Sequence, residues 1–291
     1  EAPNQNYARE LMELHTLGVG NYTQKDVEEV ARCLTGYSFV WEYERPNWGK
    51  FKFYNWAHDK KKKKVLGYEI PKKGGVKDAQ IVLDILTNSP EYAPITGRFI
   101  GRKLANWLWG YNPPEALVNS IADTYVSSGG NIKKMIKVAL SPEWLVQSLP
   151  KMKRPYHLVM STLRMVPSEI IDFWAIRYTL SLMGHEPYQW SPPNGYADTL
   201  DYWAGGLLPR WRYGSYIYSQ NYNPVFDLSA FEGEMDTDTF IKRVSNTFFG
   251  GKMTQSDKTI LGNYAGDDIA SVWRRREVLG LAVSSSNFQW Y

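Results

Sequence analysis

Apolar residues recur at helical spacing through the first 36 residues. Tyr7, Leu11 and Leu14 follow the i, i+4, i+7 pattern that puts side chains on one helical stripe. Gly18 is a suitable stop for that helix. Thr23, with an acidic residue three positions later, forms the start signal of a second helix. The pattern therefore predicts a helical hairpin over residues 4–36.

The pattern changes between residues 37 and 73. Aromatic side chains there alternate with polar ones, which is typical of short strands or extended chain. The segment also contains a run of five lysines at residues 60–64. Such a run attracts polyanions or anionic lipid, although a solvated loop is the commoner role. We expect an aromatic-rich, partly extended insertion at about 37–73.

Helical periodicity returns in the remainder of the chain. Proline and glycine punctuate the predicted helices, which cover about 75–88, 91–109, 114–127, 131–140, 155–166, 168–183, 238–249 and 267–282. The stretch at 186–235 is rich in Pro, Gly, Tyr and Trp and is predicted to be mostly loop with short helices. The fold class is therefore mainly α, an irregular helical fold, and with no linker-like break we expect one domain over 1–291.

Composition narrows the classes of protein to consider. With 43% hydrophobic residues, the chain of 291 residues can bury a sizeable core. The net charge of +4 is too small to indicate a nucleic-acid partner. No uncharged apolar run reaches the ~18 residues of a membrane span. The single cysteine, Cys33, excludes an internal disulfide, and a helical apolar stripe around it favours a core role. Aromatic residues reach 15%, which is unusually high.

Several motifs together resemble one bacterial family. The longest is NQNYARELMELHTLG at residues 4–18, followed by YTQKDV at 22–27 and ARCLTG at 31–36. Shorter matches are HD at 58–59, KVLG at 64–67, RFIGRKL at 98–104, SPEW at 141–144, KRP at 153–155 and SPPNGY at 191–196. These segments are similar to the family known as domain of unknown function 1800, and the resemblance covers most of the chain.

The resemblance implies a helical fold and an exported bacterial setting, periplasmic or extracellular. It supplies no reaction. Family members usually carry a further helical segment before the first motif, so the chain resembles the later part of the family's domain. A companion chain supplying that front segment is therefore an expected partner, with cleavage as the alternative.

Ionisable residues are concentrated in the first helix. Glu10 and Glu13 lie about 60° apart on one helical face, with Arg9 nearby, whereas His15 points away from both. The pair at His58 and Asp59 supplies a second imidazole and carboxylate. These ligand types suit Zn, Mn or Fe. In this hypothesis His15, His58 and Asp59 hold a divalent metal.

The same hypothesis gives Glu10 or Glu13 the role of general acid or base, and Arg9 or Arg32 the stabilisation of negative charge. The alternative is structural: charged helical faces usually form salt bridges, and a lone histidine near apolar residues is usually a bonded core residue. Arg32, four residues after Glu28, can pair within its own helix.

Large aromatic residues form the remaining candidate surface. Flat, stiff rings can stack on polysaccharide or on a protein partner, or they can fill the core. The candidates are Trp41, Trp48, Trp56, Trp190, Tyr196 and Trp203.

Three functions remain open from the sequence. The first is a metal-assisted hydrolase or oxidase acting on an extracellular polymer. The second is a non-catalytic component of an envelope or extracellular assembly, which would bury its aromatic surface against another chain. The third is a glycan-binding module that does not turn its ligand over.

Overall fold

The computed structural model describes residues 3–43, 45–219 and 223–291. The described residues form 14 α-helices and six short strands, which confirms the mainly α prediction. The chain divides into two compact units, Glu1–Leu149 and Pro150–Tyr291. The expectation of a single domain stays a prediction. No helix in the described part of the chain is both long and apolar enough to cross a membrane.

The first unit begins with a helical pair and two small hairpins. Its elements are α1 (Gln5–Glu13), α2 (Gln24–Cys33), β1 (Tyr37–Phe39), β2 (Phe51–Phe53), β3 (Lys63–Val65), β4 (Tyr68–Ile70), α3 (Lys77–Asn88), α4 (Ala93–Leu108), α5 (Glu115–Ser128), α6 (Ile132–Ala139) and α7 (Pro142–Leu145). β1 pairs antiparallel with β2, and β3 pairs antiparallel with β4. The helical hairpin at 4–36 and the short strands at 37–73 are therefore as the sequence predicts.

Local signals set the ends of the first two helices. The Thr23 hydroxyl accepts a hydrogen bond from Asp26 N–H, and the Asp26 carboxylate accepts one from Thr23 N–H, so this capping box starts α2. At the end of α1, Gly18 N–H donates to the Met12 carbonyl and Gly18 has φ +79°, a conformation that glycine adopts easily. Because α1 already ends at Glu13, His15 lies in the turn beyond the regular helix.

Two apolar clusters hold the first unit together. One packs α1 and α2 against β3, β4 and α3, with Met12, Val30 and Ile70 fully buried. The other packs α4, α5 and α6, with Leu117 and Ile121 at its centre. Cys33 is fully buried in the first unit, in line with the core role that the sequence favours.

The second unit is built on one larger core. Its elements are α8 (Pro155–Met165), β5 (Ser168–Glu169), α9 (Trp174–Leu182), α10 (Leu200–Ala204), α11 (Leu207–Ile217), β6 (Val225–Phe226), α12 (Thr237–Phe249), α13 (Gln255–Ala265) and α14 (Val272–Ser284). β5 pairs antiparallel with β6. The core residues come mainly from α8, α11, α12 and α14.

The second unit departs from the sequence prediction in three places. The helix expected from residue 168 begins at Trp174, because residues 168–169 pair with β6. The helix α13 was not predicted, and the last helix begins at Val272 instead of about 267, with the Ser271 side chain as its cap. The helix at 238–249 is as predicted, and Asp236 caps it by accepting a hydrogen bond from Thr239 N–H.

Candidate functional site

A long groove crosses the surface of the first unit. It has a volume of about 1530 Å³ and is walled by α1, the end of α2, the β1–β2 hairpin, the turn at 54–57 and α3. Its lining includes 17 residues of the described chain, and none of these is charged. Its hydrogen-bonding side chains include the amides of Asn4 and Gln80 and the hydroxyls of Thr35 and Ser38.

Aromatic rings stand exposed along this groove. Trp56 is 81% exposed, Phe51 62%, Tyr7 56% and Tyr37 38%. Exposed rings of this size are costly to leave in water, so a continuous set of them is typical of a binding surface. We call this feature the aromatic groove.

The β1–β2 hairpin extends the aromatic surface beyond the groove. Its register pairs Tyr37 with Phe53 and Phe39 with Phe51, which puts all four rings on one face. Trp41 continues this set, with its ring centroid 4.1 Å from that of Phe39. The alternation of aromatic and polar residues in the sequence is therefore the signature of this face.

A buried polar network lies beside the aromatic groove. His58 Nε2 is 3.1 Å from Asp78 Oδ2, and Lys63 Nζ donates to the same oxygen at 2.7 Å. All three side chains are fully inaccessible. His58 Nδ1 lies 2.8 Å from the Thr35 carbonyl, which can only accept, so Nδ1 carries a proton.

This network fixes the backbone that lines the groove. His58 follows Trp56 and Ala57, Asp78 lies between Val76 and Ala79, and Thr35 itself contributes to the lining. The buried Asp78 carboxylate holds the Lys63 ammonium tightly, because breaking this ion pair would leave a charge unpaired in the interior, and the same oxygen also contacts the His58 ring. The network therefore braces three walls of the aromatic groove.

Arg32 and Asp59 form a second pair next to the network. Arg32 Nε donates to Asp59 Oδ2 at 2.8 Å, and Arg32 also bonds Glu29 at 2.6 Å. The hydrogen bond from Arg32 lowers the pKa of Asp59 to about 2. The Asp59 carboxylate, which the sequence predicts to bind a metal, is thus paired with the Arg32 guanidinium.

The remaining candidates, on α1 and in the turn after it, do not contact one another in a shared site. Arg9 donates to the Gln24 side chain at 2.6 Å, and Glu13 accepts from the Tyr22 hydroxyl at 2.5 Å. Glu10 is half-buried and His15 is exposed. None of these four residues lines the aromatic groove.

The structure brings Arg32, His58 and Asp59 together but leaves His15 outside their contacts. Both ring nitrogens of His58 already face protein oxygens. Within the described ranges, no group of three or more His, Cys, Asp or Glu side chains has the arrangement needed to hold a metal ion. The metal and catalytic assignments stay predictions, and the geometry gives them no support.

The aromatic candidates of the second unit pack mainly on one another. Trp203 is only 3% exposed and lies against His185, with ring centroids 4.8 Å apart. Trp190 packs on Tyr196 at 4.8 Å. Trp203 therefore fills the core and does not form part of an exposed surface. In the first unit, by contrast, Trp41, Trp48 and Trp56 are each at least 52% exposed.

Sequence reasoning missed several residues of the aromatic groove. The sequence predicts that Tyr7 lies on the apolar stripe of the first helix, yet its ring is exposed in the groove. Phe51 belongs to the predicted insertion, but alternation with polar neighbours does not by itself identify a binding face. Gln80 carries no sequence signal of its own, because it enters the groove only through the fold.

Comparison with known proteins places the chain in a family. The family model described as "Protein of unknown function (DUF1800)" matches residues 1–290. Neither the curated proteins nor the solved structures include a significant match. Since the match spans almost the whole chain, this protein belongs to the DUF1800 family.

Proposed function

We propose that the first unit is a binding module for a neutral polysaccharide, which it holds in the aromatic groove without turnover. One observation carries the proposal: the groove combines exposed rings with amide and hydroxyl groups, and none of the described residues that line it is charged. In line with the expected exported setting, we propose an extracellular or periplasmic ligand.

The exposed rings match the chemistry of sugars. A pyranose presents C–H groups on its faces, and these pack on the electron-rich face of an aromatic ring. Trp56 and Phe51 offer such faces at 81% and 62% exposure. The Gln80 amide can donate and accept, as sugar hydroxyls require, and the Asn4 side-chain N–H groups can donate while its oxygen caps α1.

The size of the groove favours a polymer. Pockets for small ligands measure roughly 300–1,000 Å³, whereas this groove measures about 1530 Å³. It is also open along the surface next to the aromatic face of the hairpin, so a chain of several sugar units can lie across it.

The lining favours binding over hydrolysis. Most glycoside hydrolases use two carboxylates that flank the scissile bond, and within residues 3–43 and 45–149 no carboxylate lines the aromatic groove. The alternative, a metal-assisted hydrolase or oxidase with Zn, Mn or Fe, is tested by metal analysis of protein that has been purified without chelator.

Calorimetric titration with neutral hexasaccharides, cellohexaose and mannohexaose, tests the proposal. We expect saturable binding of at least one of them. Trp56→Ala should weaken it about tenfold, the value of one aromatic stack of ~1.4 kcal/mol. Trp273→Ala is the matched control, since Trp273 is 68% exposed on α14 in the other unit.

The salt dependence of binding gives an independent check. Because the lining residues that the structure describes are uncharged, the affinity should be equal at about 50 mM and about 500 mM salt. No binding of either hexasaccharide, or equal affinities for the Trp56 and Trp273 variants, would refute the proposal.

A further inference from the structure

A second groove lies in the second unit, between α12 and α13. It has a volume of about 640 Å³, within the range of small-ligand pockets of roughly 300–1,000 Å³. The two helices are joined by a short connection that starts with the left-handed Gly250 and Gly251. The groove therefore belongs to a single antiparallel helical hairpin.

The facing sides of this hairpin are polar. Asp238 and Lys242 lie one helical turn apart on α12, and Lys258 and Thr259 line the groove from α13. Helices that pack directly on each other usually present apolar stripes at these positions. Polar groups at the facing positions keep a groove open between the two helices.

A buried hydroxyl lines the groove. Ser245 is 2% exposed, and within the part of the chain that the structure describes its Oγ has no hydrogen-bond partner. A buried hydroxyl without a partner costs free energy, because it has given up its bonds to water. A ligand hydroxyl in the groove would supply the missing bond.

The charges of the groove point to an anion. Two lysines and one aspartate line it, an excess of one positive charge. Among the described residues neither Lys242 nor Lys258 forms a salt bridge, and Lys258 is half-buried. The amides of Asn246, Gln255 and Asn263 add donors and acceptors along both walls.

From these features we propose that the α12–α13 groove binds a small polyhydroxylated anion, that is, a carboxylate or phosphate on a hydroxylated carbon chain. The lysines pair with the anionic group, and Ser245 and the amides bond the hydroxyls. This site is independent of the aromatic groove, because its lining lies wholly in residues 237–263.

A blocking variant is available at Gly262. A Cβ built there would lie 3.9 Å from Thr237 Cγ2 and 4.0 Å from Ile241 Cγ1, which is ordinary contact. Gly262→Leu thus extends a side chain into the groove without a backbone clash, and leucine is a better helix former than glycine. The variant should fold at least as well as the parent protein.

Calorimetric titration of the full chain with D-glucuronate, D-glucose 6-phosphate and D-glucose tests the proposal. We expect at least one anion to bind, at least tenfold more tightly than glucose. Gly262→Leu should weaken that binding at least tenfold and Ser245→Ala should weaken it several-fold. The two anions distinguish a carboxylate ligand from a phosphate ligand.

Trp56→Ala distinguishes this proposal from the proposed polysaccharide binding. It should weaken hexasaccharide binding and leave anion binding unchanged, because Trp56 lines only the aromatic groove. The proposal is overturned if neither anion binds saturably, if glucose binds as tightly as the anions, or if the folded Gly262→Leu variant keeps the parent affinity. Circular dichroism of each variant shows that the helices are intact.

Discussion

At the scale of single residues, one short stretch contains side chains with opposite environments. Asp59 is paired with Arg32 near the surface, whereas the preceding His58 is fully buried against Asp78. The sequence predicts that His58 and Asp59 are functional residues, and that Asp26 belongs to the start signal of a helix. It does not reveal Asp78 or Lys63 as partners, because one lies 20 residues away and the other sits inside a lysine run that looks solvated.

Replacing Asp59 tests the ion pair with Arg32. The pKa of Asp59 is lowered from 3.8 to about 2, first through the hydrogen bond from Arg32. The folded state therefore favours the carboxylate, and the resulting stability is present above pH ~4 and lost as the pH falls towards 2. Asp59→Asn should lose about 1 kcal/mol at pH 7. Urea unfolding at pH 7 and near pH 2 checks this, and a difference that persists at low pH would contradict it.

His185 should make the second unit sensitive to acid. Burial, and then the charges of Arg154, His157 and Arg210, lower its pKa from 6.5 to about 4. Tyr156 N–H donates to His185 Nδ1 at 3.2 Å, which requires that nitrogen to be unprotonated. The folded state favours the neutral ring, so stability is complete above pH 6.5 and declines as the pH falls towards 4.

The variant His185→Gln keeps an acceptor but cannot titrate. Between pH 7 and pH 4.5 the parent protein should lose about 2 kcal/mol more than the variant, after solvent screening is allowed for. Urea midpoints at the two pH values give the comparison. Equal losses in both proteins would show that His185 does not control the acid response.

At the scale of elements, the second unit depends on a close crossing of two helices. Gly214 on α11 and Gly280 on α14 meet there: a Cβ on Gly280 would lie 2.4 Å from the Gly214 carbonyl oxygen. Backbone cannot move aside as a flexible side chain can. Glycine at these two positions is what allows the helices to approach.

A pair of alanine substitutions tests this crossing. Gly280→Ala should lower the free energy of unfolding by about 1–3 kcal/mol, the usual cost of overpacking. Gly262→Ala on α13 is the matched control, since its Cβ has room, and it should raise stability by about 0.5–1 kcal/mol. Thermal unfolding of both variants checks the opposite signs.

The sequence predicts a helix where several buried apolar residues lie along one helical face. It misses a helix in which few residues are buried. In α2 the buried residues Val27, Val30 and Ala31 recur at helical spacing, and the helix was predicted. In α13 only Leu261 and Ala265 are buried, so no apolar stripe marks it. The polar positions that hide this helix from sequence analysis are those that line the second groove.

At the scale of the whole molecule, each unit has apolar clusters made only of its own residues. The mainly α class follows from periodicity along the chain. The aromatic groove does not, because it joins residues from Pro3 to Leu83 that only the fold brings together. The sequence likewise does not show that Trp56 is exposed and Trp203 is buried, because tertiary packing decides the exposure of each ring.

Separate expression of the two units tests how far they are independent. We expect fragments 1–149 and 150–291 each to unfold cooperatively in urea, since each has its own core. Circular dichroism and tryptophan fluorescence give the transitions. A fragment without a cooperative transition would support the single domain expected from the sequence.

The buried position of Lys63 has a consequence for amine chemistry on the folded protein. Acetic anhydride acylates accessible amines, and Lys60, Lys61, Lys62 and Lys64 are exposed. Lys63 is 1% exposed and its ammonium is bonded to Asp78 and to the carbonyls of Asp59 and Lys61. Mass spectrometry of the natively treated protein should therefore find Lys60, Lys61, Lys62 and Lys64 acylated, whereas Lys63, the fourth lysine of the run, stays unreacted until the chain is denatured.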